Sequence, residues 1–134
     1  MAFSRRKGPR DVRVFPSAGT IAKNDLVQFD ENGEVVVAAT NKDIVGIALE
    51  AATSSTNVHV DVLYPGHEVY ADISTGSMAA DEIGEEADLE DENSLTLTES
   101  NNDFIINGWD GVSTGKCYGH LRFLAFGSSA APKT

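Results

Sequence analysis

The chain has 134 residues, 41% of them hydrophobic, which is enough for one domain with a core. No apolar run approaches the roughly 20 residues of a membrane-spanning helix, and no apolar stretch follows the basic residues near Met1. We therefore expect neither a membrane span nor a secretory signal. The single cysteine, Cys117, excludes an internal disulfide and an all-cysteine metal site.

The charge is unevenly distributed along the chain. The formal net charge is −11, yet five of the ten basic residues lie within residues 1–13, and the segment 81–92 carries eight carboxylates with no base. An acidic body should repel nucleic acid. We therefore predict a flexible basic arm over residues 1–14, dispensable for folding, that binds an acidic partner or a second copy; a solvated tail is the alternative. Its basic residues are Arg5, Arg6, Lys7, Arg10 and Arg13.

Period-two patterns predict strands in the first half of the chain. Val12 to Pro16 alternates over a short extended stretch, and Asn32-Gly33 predicts a β-hairpin over 26–38 because this dipeptide favours tight hairpin turns. The apolar run 44–49 is typical of a buried strand, in which Gly46 permits close approach of a neighbouring backbone.

The next segment alternates more clearly. Val58, Val60 and Val62 share one face of a strand, Tyr64-Pro65-Gly66-His67 fits a type II turn, and residues 68–73 alternate again. For 81–92 we predict an acidic loop tethered by Ile83, Ala87 and Leu89, with Asp88 and Glu90 pointing outward. Strands resume at 94–98, 104–106 and 117–126.

About eight short strands and no amphipathic helix of useful length predict an all-β fold. We expect a small antiparallel β-sandwich or β-barrel over residues 15–126, preceded by the arm and followed by a flexible tail over 127–134.

No residue pattern predicts catalysis or a metal. The segment 111–117 lacks a P-loop's first glycine, where Asp110 stands, and its Ser or Thr, where Cys117 stands. His59 and Asp61 share a strand face, which suits a metal or general base but more often marks a polar face. Cys117 and His120 should point to opposite faces, and the acidic segment lacks the EF-hand spacing for Ca²⁺.

Trp109 is the single tryptophan and falls in a loop between predicted strands. A tryptophan in this position either covers the core or anchors a contact with a partner. We keep both interpretations.

The order of these segments resembles the capsid decoration, or cement, proteins of tailed bacteriophages. The resemblance covers roughly residues 15–126 and is carried by SAGTIAKNDLVQF at 17–29, NG at 32–33 with its valine run, IVGIALEAA at 44–52, VHVDVL at 58–63 with PG at 65–66, and IGEEADL at 83–89.

The resemblance implies a β-tulip-like domain without enzymatic activity, cofactor or metal. It implies a homo-oligomer, a trimer in preference to a dimer, that binds the major capsid protein on the outer surface of the virion after assembly in the host cytoplasm. Capsid contacts would come from an arm that orders on binding. The residues we assign to them are Arg5, Arg6, Lys7, Arg10, Arg13, Phe15 and Trp109.

Two other classes stay open. A carbohydrate- or receptor-binding β-module of a fibre or other appendage should carry surface aromatics, and in sequence Tyr64, Tyr70, Tyr118 and Trp109 are few and scattered. A small metal-dependent enzyme should carry a dense histidine or carboxylate cluster, which three dispersed histidines do not supply.

Overall fold

The computed structural model describes residues 3–39, 43–98 and 100–126, and β-strands dominate this part of the chain. The predicted all-β class is confirmed. A single short 3-10 turn, Ala80–Glu82, accompanies the strands in the described ranges. The strands are β1 (Phe3–Lys7), β2 (Val12–Pro16), β3 (Leu26–Phe29), β4 (Val35–Val37), β5 (Gly46–Ala48), β6 (Asn57–Val62), β7 (Glu68–Thr75), β8 (Glu86–Asp91), β9 (Ser94–Thr96), β10 (Phe104–Gly108) and β11 (Lys116–Leu121). The predicted tail over 127–134 lies outside the described residues.

Five strands of a six-stranded sheet close into a barrel. The sheet order is β1-β7-β11-β10-β8-β9; a parallel pairing of β9 with β7 closes the ring, and β1 lies outside the ring, paired with β7. Strand β7 is long enough to take two partners on one edge, since β1 pairs with residues 68–71 and β9 with Ile73 and Thr75. Closure leaves most of the barrel strands without a free edge.

The second sheet has the order β2-β6-β5-β3-β4 and is antiparallel throughout. The predicted hairpin over 26–38 is confirmed as β3 paired with β4, and the Asp30 carboxylate closes its turn by accepting the backbone N–H groups of Asn32 and Glu34. A parallel bridge between Ser17 and Val35 curls the sheet toward closure.

Each sheet encloses apolar side chains, and the first core is shared between them. Phe104, Ile106 and Cys117 of the barrel pack in that core with Leu26 and Ile47 of the second sheet. The second core is formed by side chains on the concave side of the second sheet. It includes the three valines predicted to share a face, which are all buried: Val58, Val60 and Val62.

Two local predictions in the middle of the chain are confirmed. A Cβ on Gly46 would lie closer than 3.0 Å to the backbone oxygen of Asp61, so this glycine does allow close approach of β6. In the type II turn, Gly66 has φ +93° and the His67 N–H donates to the Tyr64 carbonyl over 3.1 Å.

The prediction of a flexible N-terminal arm is wrong for the described residues 3–14. Phe3 is buried in the first core, β1 pairs with β7, and β2 pairs with β6. Arg5 joins the two sheets because its Nε lies 3.1 Å from the Asp61 carboxylate. Two basic residues of this segment, Arg5 and Arg6, pair with the carboxylates of Asp61 and Glu68 in the same chain.

The prediction of an acidic loop over 81–92 is also wrong for its second half. Residues 86–91 form β8, which pairs with β9 and β10. Ala87 and Leu89 do point into the core, but Ile83 is 46% exposed and tethers nothing. Asp88 is buried rather than outward, because backbone N–H groups of the segment 100–102 converge on its carboxylate. Glu90 is exposed, as predicted.

Candidate functional site: an aromatic face on the barrel

The outer surface of the barrel carries a cluster of aromatic and charged side chains across β1, β7 and β11. Tyr70 stands directly opposite Tyr118 in the β7–β11 register, and Asp72 stands opposite Lys116. The two tyrosine rings meet edge to face with centroids 6.1 Å apart. We call this surface, with its neighbours on β1 and after β10, the aromatic face: Arg6, Tyr70, Asp72, Trp109, Lys116 and Tyr118.

Arg6 holds the centre of the aromatic face in place. Its guanidinium carbon lies 4.0 Å from the centroid of the Tyr118 ring and 5.9 Å from that of Tyr70, within cation–π range. The same guanidinium donates to Glu68, whose other oxygen accepts from Asn107 Nδ2 over 2.8 Å. Partial burial alone would raise the pKa of Glu68, but hydrogen bonds from Asn107 and Arg6 lower it more, so this carboxylate is charged at neutral pH.

A glycine provides space for one of the tyrosines. A Cβ built on Gly108 would lie 2.5 Å from the hydroxyl of Tyr118, so the ring of Tyr118 occupies the volume that any larger residue would fill. Trp109 follows this glycine directly and packs partly against the first core. The aromatic face is therefore fixed by backbone packing as well as by side-chain contacts.

Two recesses flank Tyr70. One, of about 340 Å³, is lined by Arg6, Tyr70, Trp109, Asp110, Lys116 and Tyr118, with Cys117 beneath it. The other, of about 370 Å³, lies between Ser4, Tyr70, Asp72 and Lys116. Burial, with a smaller contribution from Asp72, raises the pKa of the Cys117 thiol to about 12, so this cysteine is a packing residue and not a nucleophile.

A larger cleft, of about 850 Å³, opens at the other end of the same sheet. It is bordered by His67, Glu68, Asn107 and His120. His120 Nδ1 lies 3.2 Å from Asn107 Oδ1, and burial lowers the pKa of both histidines. Each histidine is therefore neutral at pH 7, and the polar groups of the cleft already bond to one another.

The structure divides the predicted contact residues among three places. Arg6 and Trp109 belong to the aromatic face. Arg5 is turned toward Asp61, and Phe15 is turned inward, where its ring meets Phe29 at 5.2 Å. The remaining three, Lys7, Arg10 and Arg13, lie where β1 turns into β2.

We call the surface of that turn and of β2 the N-terminal corner: Lys7, Arg10, Val12, Arg13 and Val14. Arg13 bonds to Asp11 at 3.2 Å and to the Tyr64 hydroxyl at 2.9 Å, while Lys7 and Arg10 are exposed. Val12 and Val14 are 43% and 51% exposed on β2, an edge strand of the second sheet.

The residues considered from the sequence as metal ligands or catalytic groups do not form a common site. His59 Nδ1 contacts Glu50 at 2.7 Å, whereas Asp61 is buried beside Arg5. Cys117 and His120 do lie on opposite faces of β11, as predicted. In the part of the chain that the structure describes, no three His, Cys, Asp or Glu side chains group as metal ligands.

Sequence reasoning missed the aromatic face because its members are up to 112 residues apart, from Arg6 to Tyr118. A signal for part of it was present, since Tyr70 and Tyr118 both occupy the outward positions of alternating strands. Only the pairing of β7 with β11 brings these positions together.

No protein-family model matches the sequence, and neither does any curated protein. Among the described residues there is no helix with the length and apolar character needed to cross a membrane.

Proposed function

We propose that the protein is a structural capsid decoration protein, which binds the outer surface of a tailed-phage head and stabilises the lattice of the major capsid protein. It acts as an oligomer, a trimer in preference to a dimer. The sequence resemblance supports this function, and one structural observation carries it: the N-terminal corner combines exposed valines, an edge strand and basic side chains on an acidic protein.

The chemistry of the N-terminal corner suits a protein partner. An edge strand offers unpaired backbone groups for strand addition, and exposed β-branched side chains on it add apolar contact. Val12 and Val14 supply that contact, and Lys7 and Arg10 supply charge complementary to an acidic lattice. Because the corner is already folded, binding loses less conformational entropy than ordering a flexible arm would require.

The test compares two variants on undecorated, expanded heads of the phage that encodes the chain. In Val12→Asp/Val14→Asp, two carboxylates replace the apolar contact, and we expect head binding to fall by roughly tenfold or more because a desolvated charge lacks a partner. Ile83→Asp is the matched control, since Ile83 is 46% exposed and belongs to the segment before β8 of the barrel, not to the corner.

Binding is measured by co-sedimentation and by imaging of decorated heads, and circular dichroism confirms that each variant is folded. We expect the control to decorate heads like the unmodified protein. Wild-type protein that leaves heads bare would contradict the proposed function, and equal binding by the double variant would exclude the N-terminal corner as the contact.

A further inference from the structure

The aromatic face has the composition of a small-molecule site. Tyr70 is 50% exposed although it lies at the centre of a sheet face, and Tyr118 and Trp109 border it. Sites for small ligands combine aromatic walls with a few placed polar groups and have volumes of about 300–1,000 Å³. Each of the two recesses beside Tyr70, at about 340 and 370 Å³, falls in this range.

Charged side chains of both signs border these recesses. Arg6 and Lys116 supply two cations, and Asp72 and Asp110 supply two carboxylates. Lys116 Nζ lies 3.4 Å from Asp72 Oδ1, and both side chains border the recess beside Ser4 and Tyr70. A phosphorylated ligand would meet the carboxylates, and the net charge of −11 disfavours nucleotides and nucleic acid.

The position of the face also bears on the kind of ligand. Strands β7 and β11 have partners on both edges, so a peptide cannot add to them as a strand. What the face offers is ring surface together with paired charged groups. A pyranose matches both, because its C–H face packs on an aromatic ring and its hydroxyls donate to carboxylates and accept from ammonium groups.

The face is also preorganised. Arg6 stacks over Tyr118 at 4.0 Å and bonds to Glu68, and Gly108 leaves the space that the Tyr118 ring fills. A ligand therefore meets rings that are already ordered, which reduces the entropy lost on binding.

We propose that the aromatic face binds a neutral saccharide, whose ring stacks on Tyr70 beside Trp109 and whose hydroxyls bond to Asp110, Lys116 and Asp72. This inference does not depend on the capsid function, because it uses none of the residues of the N-terminal corner, whose exposed valines lie on β2 of the second sheet. A protein with both surfaces would attach to its lattice and still present a sugar-binding face.

The first experiment probes the full chain with a glycan array that carries neutral, sialylated and sulfated oligosaccharides, and then with calorimetric titration of the best neutral glycan. We expect binding to at least one neutral glycan. An array without binding above background, or with binding only to the acidic glycans, overturns the proposal.

The second experiment places the site. Tyr70→Ala should lower the affinity by roughly tenfold or more, the loss expected when an aromatic stacking platform is truncated. Tyr70→Phe is the matched control: it keeps the ring, and we expect it to bind within a few-fold of the unmodified protein. Unchanged affinity in Tyr70→Ala overturns the site.

The same variant separates this inference from the capsid function. We expect Tyr70→Ala to decorate heads normally, while the Val12→Asp/Val14→Asp protein keeps its glycan binding. Loss of head binding in Tyr70→Ala would make the aromatic face a capsid contact and overturn the saccharide assignment.

Discussion

Asp88 organises the turn that follows β9. Its Oδ1 accepts the N–H groups of Asn101 and Asn102 at 2.9 and 2.7 Å, and its Oδ2 accepts the Ser100 N–H at 3.0 Å and the Thr98 hydroxyl at 3.3 Å. One buried carboxylate thus accepts three backbone N–H groups that lie outside the strands. Its role is structural, although it lies within the most acidic segment of the chain.

Asp88→Asn should destabilise the protein by about 1–3 kcal/mol, because the new amide group faces backbone donors and leaves at least one of them unsatisfied. Glu90→Gln is the control, since it removes the same charge from the same strand at an exposed position. Urea unfolding of both variants gives the comparison. Equal stabilities would mean that Asp88 acts only through its charge.

Two histidines should make the free energy of unfolding depend on pH. Burial is the main reason that the pKa of His67 and of His120 is lowered below 6.5. The unfolded chain then binds more protons, so their contribution to stability is complete above about pH 6.5 and is lost as pH falls toward the folded-state pKa.

The free energy of unfolding, measured between pH 7.5 and 5 over roughly the range in which histidine titrates, should therefore decrease with falling pH. In His67→Asn the amide oxygen replaces Nδ1 as acceptor for the Tyr64 N–H, and we expect a shallower dependence. Adding His120→Asn should flatten it further. A double variant with the slope of the unmodified protein would assign the dependence to other groups.

At the scale of the element, substitutions in β1 show whether the N-terminal segment contributes to the stability of the fold. Phe3 is buried in the first core, so Phe3→Ala should lower the free energy of unfolding by about 3–5 kcal/mol, through lost burial and the cavity it leaves. Lys7→Ala, on the exposed end of the same strand, is the control and should change stability little. A dispensable arm would tolerate both substitutions equally, as measured by thermal unfolding.

The elements that could be predicted are those whose own residues determine them. The alternation of Val58, Val60 and Val62 specifies a half-buried strand, and Pro65-Gly66 specifies its turn, whatever lies beyond them. β1 and β8 could not be predicted in this way. Their basic or acidic side chains conceal the apolar positions Phe3, Ala87 and Leu89, which bury only because distant strands pair with them.

The candidate surfaces show the same limit. The basic character of the N-terminal corner follows from composition, because Lys7, Arg10 and Arg13 lie close together in the sequence. The partners of Arg5 and Arg6 could not be foreseen, since Asp61 and Glu68 are 56 and 62 residues away in sequence. Long-range antiparallel pairing, and not local propensity, determines which charges remain available to a partner.

At the scale of the whole molecule, backbone hydrogen bonds connect the two sheets. The Leu26 N–H donates to the Glu92 carbonyl over 2.8 Å, and Ile44 exchanges bonds of 3.0 and 2.9 Å with Phe123 and Ala125. Leu26 and Ile44 also pack in the first core beside barrel residues. These contacts predict that barrel and second sheet unfold in a single cooperative transition.

Trp109 makes this cooperativity measurable, because the single tryptophan packs against the first core while Val35 lies in the second. Val35→Ala should reduce stability by about 2 kcal/mol through lost apolar burial. If unfolding is cooperative, the urea midpoint reported by Trp109 fluorescence shifts together with the midpoint from far-ultraviolet circular dichroism. Independent sheets would behave differently: fluorescence would keep its original midpoint, because the substitution would weaken only the sheet that the tryptophan does not contact.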